Sequence, residues 1–137
     1  MKIMGLDYGD ARTGVAISDL LCTLVGSTTV LPSRNEEKLL ADVVRLTKEN
    51  GVGTIVVGLP RNMDGTEGPR AEACRAFAEK VKEITGVDVE MWDERRTTIE
   101  AHAILHANGR KEKDHRKTVD AVAASLMLEG YLRSQSL

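Results

Sequence analysis

The chain has 137 residues, 42% of them hydrophobic and 29% charged, with a formal net charge of -2. That length suits one domain over residues 1–137 with a sizeable core. The near-neutral balance excludes binding to nucleic acid through a whole-protein positive field, so any such binding must rest on local patches.

Aromatic residues make up only 3% of the chain, so the core is expected to be aliphatic. Cys22 and Cys74 lie far apart and fit no metal-ligand spacing; they read as reduced, buried thiols. The first residues show no signal-peptide pattern, and no apolar run is long enough to span a bilayer. The expected location is the cytoplasm, without membrane contact.

Ile3 to Tyr8 is a short apolar run closed by Gly9 and predicts a first strand. Gly9-Asp10-Ala11-Arg12 predicts a turn and Thr13 to Ser18 a second strand, together a hairpin. A third strand is expected over Gly26 to Leu31, stopped by Pro32. Asn35 is a good N-cap with Glu36 and Glu37 in the first turn, and a stripe from Leu39 to Leu46 runs to Gly51, predicting a helix. Thr54 to Leu59 is almost continuously β-branched, as expected of a strand buried on both faces.

Pro60 to Gly68 is rich in turn residues. A helix is predicted over Pro69 to Thr85, a strand over Val87 to Trp92 and a short helix over Thr97 to Ala107. A charged loop follows, and then an Ala-rich helix over Lys117 to Leu132, with Val119, Val122, Ala123, Leu126 and Tyr131 available for packing. The order β-β-β-α-β-α-β-α-α predicts an α/β fold: one mixed five-stranded sheet with helices on both faces.

Three places in this pattern hold acids where apolar residues would be cheaper. Asp7 ends an apolar strand, and a carboxylate there needs a partner or a cation. Asp93 and Glu94 follow the last strand, at the sheet edge where open α/β folds place their sites. Asp120 sits among Val and Ala near the start of the last helix. Converging carboxylates select hard cations such as Mg²⁺ or Mn²⁺ and suit metal-assisted phosphodiester hydrolysis. The same acids also suit plain capping of turns and helix N-termini.

Four segments carry a family resemblance. They are Gly5-Leu6-Asp7-Tyr8-Gly9 with Arg12-Thr13-Gly14-Val15-Ala16; Val57 through Thr66, reading Val-Gly-Leu-Pro-Arg-Asn-Met-Asp-Gly-Thr; Trp92-Asp93-Glu94-Arg95-Arg96-Thr97-Thr98; and Lys117-Thr118-Val119-Asp120-Ala121-Val122-Ala123-Ala124. In order and spacing they resemble the YqgF (RuvX-like) family, whose members are called pre-16S ribosomal RNA nucleases and Holliday junction resolvases. The resemblance implies a ribonuclease H-like fold and a catalytic, metal-binding triad of Asp7, Glu94 and Asp120, with Asp93 as a further candidate ligand.

Around that triad, Arg12, Arg95 and Arg96 are candidates to hold phosphates. Asn62, Asp64 and Gly65 on the loop after the fourth strand are candidates to line the substrate channel, or simply to make a tight turn. Arg110, Lys111, Lys113, Arg116 and Lys117 form a local basic cluster. The resemblance implies 5′-end processing of pre-16S rRNA by a nuclease acting on structured RNA, with ribosomal precursor particles as partners; a monomer or weak homodimer is the expected state. A resolvase of branched DNA and a non-catalytic RNA-binding assembly factor are the alternatives.

Overall fold

The computed structural model describes residues 1–93 and 112–135, the side chains of 112–118 excepted. The elements described are β1 (Lys2–Asp7), β2 (Arg12–Ser18), β3 (Val25–Pro32), α1 (Glu36–Asn50), β4 (Val52–Leu59), α2 (Pro69–Thr85), β5 (Asp88–Asp93) and α3 (Glu112–Gln135). The helix expected over Thr97 to Ala107 lies outside the described residues.

The sheet has five strands in the order β3-β2-β1-β4-β5. β1 pairs antiparallel with β2, and β2 with β3, while β4 runs parallel to both β1 and β5. The sheet is therefore mixed, as the hairpin followed by two strand–helix units predicts. In consequence the C-terminal ends of β1, β4 and β5 lie along one edge of the sheet.

Each face has its own core. Met4 and Leu6 from β1, Val15 and Ile17 from β2, and Ile55 and Val57 from β4 pack against Leu39 and Val43 of α1 and Phe77, Ala78 and Val81 of α2. On the opposite face Ala16 and Val56 pack against Ala124, Leu128, Tyr131 and Leu132 of α3. Burying each large apolar side chain contributes about 1.5–3 kcal/mol, so Leu128, Leu132 and the Tyr131 ring together hold α3 on the sheet.

α1 begins and ends where its caps dictate. The Asn35 side chain accepts from the Lys38 N–H at 3.1 Å, and Gly51 closes the helix in the left-handed region at φ 63°. α2 begins at Pro69, whose missing N–H costs nothing at that position, and is closed by Gly86 at φ 71°.

Three expectations are corrected. α3 starts at Glu112, so most of the segment read as a charged loop is helical. Glu, Lys and Arg are strong helix formers, and no Gly or Pro interrupts residues 112–117. The sheet-facing stripe of α3 is Val119, Ala123, Ala124, Met127, Leu128, Tyr131 and Leu132, while Leu126 is half-buried beside it. Cys22 is half-buried, unlike the buried Cys74, because it sits in the β2–β3 turn at φ 58°. Among the described residues, no helix is long and apolar enough to cross a membrane.

Candidate active site

Strand alternation decides which end-of-strand groups can meet. On β1, Ile3 packs in the α3-side core, and a Cβ on Gly5 would touch Met127 and Leu128. Two residues further along, Asp7 falls on that same face. Its partner across the hairpin is Gly14. A Cβ on Gly14 would lie 2.1 Å from the Asp120 carbonyl oxygen and 3.3 Å from the Ala124 Cβ. The backbone of α3 therefore rests directly on β2, beside Asp7. Gly14 is what allows Asp120, near the start of the described side chains of α3, to reach the sheet edge at all.

Arg12 completes this corner. It lies two residues before Gly14 on β2, hence on the same face. Its Nε donates to Asp120 Oδ2 at 2.7 Å, and the two side chains are 34% and 23% exposed. The sequence marked Arg12 as a phosphate contact; in the structure its near partner is a carboxylate.

The ends of β4 and β5 supply the rest of the edge. Leu6 pairs with Val57, so Asp7 sits level with Gly58, which in turn pairs with Trp92. Trp92 is half-buried, edge-on to Tyr131 at 5.9 Å, and lies under Gly130. Alternation along β5 separates its last residues. Glu90 and Trp92 meet α3, whereas Val89 and Met91 pack in the α1–α2 core, and Asp93 falls on their side. The structure thus brings Asp7 and Asp120 to one corner and sets Asp93 on the other face of the sheet.

Glu94, Arg95, Arg96, Arg110 and Lys111 lie outside the described residues, and the side chains of Lys113, Arg116 and Lys117 do too. Among the described residues, no three His, Cys, Asp or Glu gather as metal ligands.

The loop after β4 is closed on itself. The Asn62 N–H donates to the Thr66 carbonyl at 2.8 Å, and the Asn62 side chain donates to Thr66 Oγ1 at 2.9 Å. Asp64 accepts from both the backbone and the hydroxyl of Thr66, at 2.9 and 2.6 Å, which holds its carboxyl below the usual range. Gly65 takes φ 88°, a conformation that favours glycine. Below the tip, Glu67 receives a two-bond grip from Arg75 at 2.6 and 2.7 Å. Asn62 and Asp64 thus spend their side chains on shaping the loop, which leaves Met63 at its tip, 83% exposed.

Arg70 was not singled out by the sequence. It lies one residue into α2, at the same sheet edge, and braces the turn that follows Asp7. Its guanidinium donates to the Tyr8 carbonyl and to Asp10 Oδ1, and lies 5.1 Å over the Tyr8 ring. Tyr8 stacks flat on Phe77, with ring centroids 4.1 Å apart. Burial, and then the Glu36 carboxylate, raise the Tyr8 pKa. An aromatic residue directly after a strand-end acid was the available signal, since it needs a packing partner from a neighbouring helix.

A family model described as "RuvX: Holliday junction resolvase" matches residues 1–134. The chain belongs to the RuvX family. A "Putative pre-16S rRNA nuclease" of Carboxydothermus hydrogenoformans is 39% identical over 136 residues, covering 99% of both chains. A relative of the same name from an Anaeromyxobacter species is 44% identical over 132 residues, covering 96% of each. Among solved structures, Thermus thermophilus RuvC in complex with a Holliday junction substrate superposes with a TM-score of 0.63 at 13% identity, over 99% of this chain and 97% of that one. The likeness to RuvC establishes a ribonuclease H-like fold for this RuvX-family chain, with the strand order described above.

Proposed function

We propose that this protein is a divalent-metal-dependent endonuclease that matures the 5′ end of pre-16S rRNA, with Asp7, Glu94 and Asp120 as its acidic triad. The observation that carries this reading is the corner formed by Asp7, Gly14 and Asp120. A strand-end acid and a helix acid from opposite ends of the chain lie at one corner, where a glycine lets the helix backbone approach the sheet. The names of the family and of its curated relatives support nuclease chemistry.

The donor set fits Mg²⁺ or Mn²⁺. Both described acids are hard oxygen ligands, and Asp120 already holds a positive group, the Arg12 guanidinium, where a cation would be drawn. When bound, the metal supplies an activated water and neutralises charge building on the phosphate. The remaining work falls to the chain. Asp7 and Asp120 bind and orient, and Glu94 completes the set. Arg95, Arg96, Arg110, Lys111, Lys113, Arg116 and Lys117 hold the nucleic-acid backbone by charge. The closed loop carrying Asn62, Asp64 and Gly65 forms one wall of the substrate path. Asp93, on the other face, is left out of the ligand set.

The deciding experiment compares wild type with Asp7→Asn on a pre-16S rRNA fragment and on a four-way DNA junction, with Mg²⁺ or Mn²⁺. Site-specific cleavage of the RNA by wild type alone is expected. Equal cleavage by both proteins would sink the catalytic claim. Resolution of four-way junctions is the second reading, favoured by the family description and the RuvC likeness. It requires a two-fold dimer to make paired cuts, so a monomer at assay concentration that cuts only RNA rejects it. Tight RNA binding with no cleavage under any metal would instead make the protein an assembly factor.

A further inference from the structure

We propose that Arg12 is the resident counter-cation of Asp120, that a divalent cation displaces it, and that the displaced guanidinium then serves a substrate phosphate. This inference rests on the metal-site reading above.

The geometry sets up a competition. Arg12 Nε and Asp120 Oδ2 stand 2.7 Å apart, a short charge-assisted contact between residues 108 positions apart in the chain. A divalent cation bound at Asp120 Oδ2 would stand close to the guanidinium that Oδ2 now receives, and like charges at such range repel. The side chains are 34% and 23% exposed, so the pair is neither sealed in the core nor wholly screened by water, and exchange needs no opening of the fold.

Contacts other than this pair also dock α3. The helix already rests on Gly14 through its backbone, and Ala124, Leu128, Tyr131 and Leu132 are buried against the sheet. A long charged side chain on the rim of the corner therefore has a task beyond holding α3. Without metal it neutralises the Asp120 carboxylate, an acid on the same corner of the sheet as Asp7. With metal bound, a planar fork of donors would be released at this corner, suited to phosphate oxygens.

The test is Mn²⁺ binding to the full chain, without nucleic acid, followed by electron paramagnetic resonance of the free ion. It compares wild type, Arg12→Met, Arg12→Gln, Asp120→Asn and the double variant Arg12→Met/Asp120→Asn. Arg12→Gln keeps a donor towards Asp120 without the charge, which guards against a loosened helix. Removing the competitor should tighten Mn²⁺ binding about five- to tenfold in both Arg12 variants. Asp120→Asn should weaken it, and loss of Arg12 should bring no gain in the double variant. Unchanged or weaker binding in both Arg12 variants, with wild type still binding Mn²⁺, overturns the exchange and leaves the metal site standing. No Mn²⁺ binding by any of these proteins overturns the metal site, and the exchange with it.

Discussion

Gly14 lies directly under the Asp120 carbonyl, so close that a Cβ there would stand 2.1 Å from that oxygen. Both partners are backbone, and neither can swing aside as a flexible side-chain tip can. Gly14→Ala should therefore lift the start of α3 off the sheet and cost about 2–4 kcal/mol in urea unfolding. Gly26→Ala is the matched control, since its nearest neighbours stand 3.5 Å away, and it should shift stability by less than about 1 kcal/mol. Equal losses in the two variants would show that the close contact does not set the helix position.

The alternation of β5 sets Asp93 on the face of the sheet opposite the corner at Asp7. Asp93 falls on the side of Met91, away from Asp7, so Asp93→Asn should cleave at close to the wild-type rate. Glu94→Gln should lose about a hundredfold or more, the scale of removing one group that stabilises transition-state charge. Single-turnover cleavage of the same RNA measures both. The opposite ranking would move the third ligand to Asp93.

Tyr131 ties α3 to the last strand. Its hydroxyl donates to Glu90, and burial followed by that hydrogen bond pushes its pKa up to about 12 from 10.0. The folded state therefore holds the phenol proton more tightly than the unfolded chain does. That contribution is complete below pH 10 and is lost as the pH rises through about 12. Tyr131→Phe should cost about 1 kcal/mol at pH 8. It should also lack the tyrosine's share of the alkaline decline between pH 10 and 12. Urea midpoints at stepped pH check both expectations, and an identical decline in the variant would assign it to another group.

The loop after β4 has its own reporter. Asp64 holds the backbone and hydroxyl of Thr66, and these bonds lower its pKa from 3.8. The grip is therefore present above that value and is released as the pH falls through the lowered one. The Thr66 amide resonance should titrate with a midpoint below 3.8, and the transition should vanish in Asp64→Asn. A midpoint at or above 3.8 would mean that the loop is open in solution.

Much of this arrangement was legible in the sequence, because it rests on local rules. Asn35 and Gly51 mark the ends of α1, and Pro69 and Gly86 those of α2. The β-branched run ending at Leu59 announces a strand covered on both sides. Asp7 and Asp120 stood out because each is an acid in an apolar setting. The rest depends on contacts between distant segments. Nothing local in Arg12 tells a phosphate contact from an ion pair with Asp120. The Asn62–Asp64–Thr66 closure is a matter of three-dimensional geometry that turn propensity leaves open. The start of α3 was misplaced because a dense run of charges reads equally as solvated loop or as exposed helix.

The Arg12–Asp120 contact joins positions 108 residues apart, one from the second strand and the other from the last helix. Contacts of such span form late in folding, because most of the chain must be ordered before they are rewarded. Synthesis runs from the N-terminus, so a growing chain displays Asp7 and its hairpin long before Asp120 exists. The corner cannot close on a partly made polypeptide, and a prematurely ended one lacks it altogether.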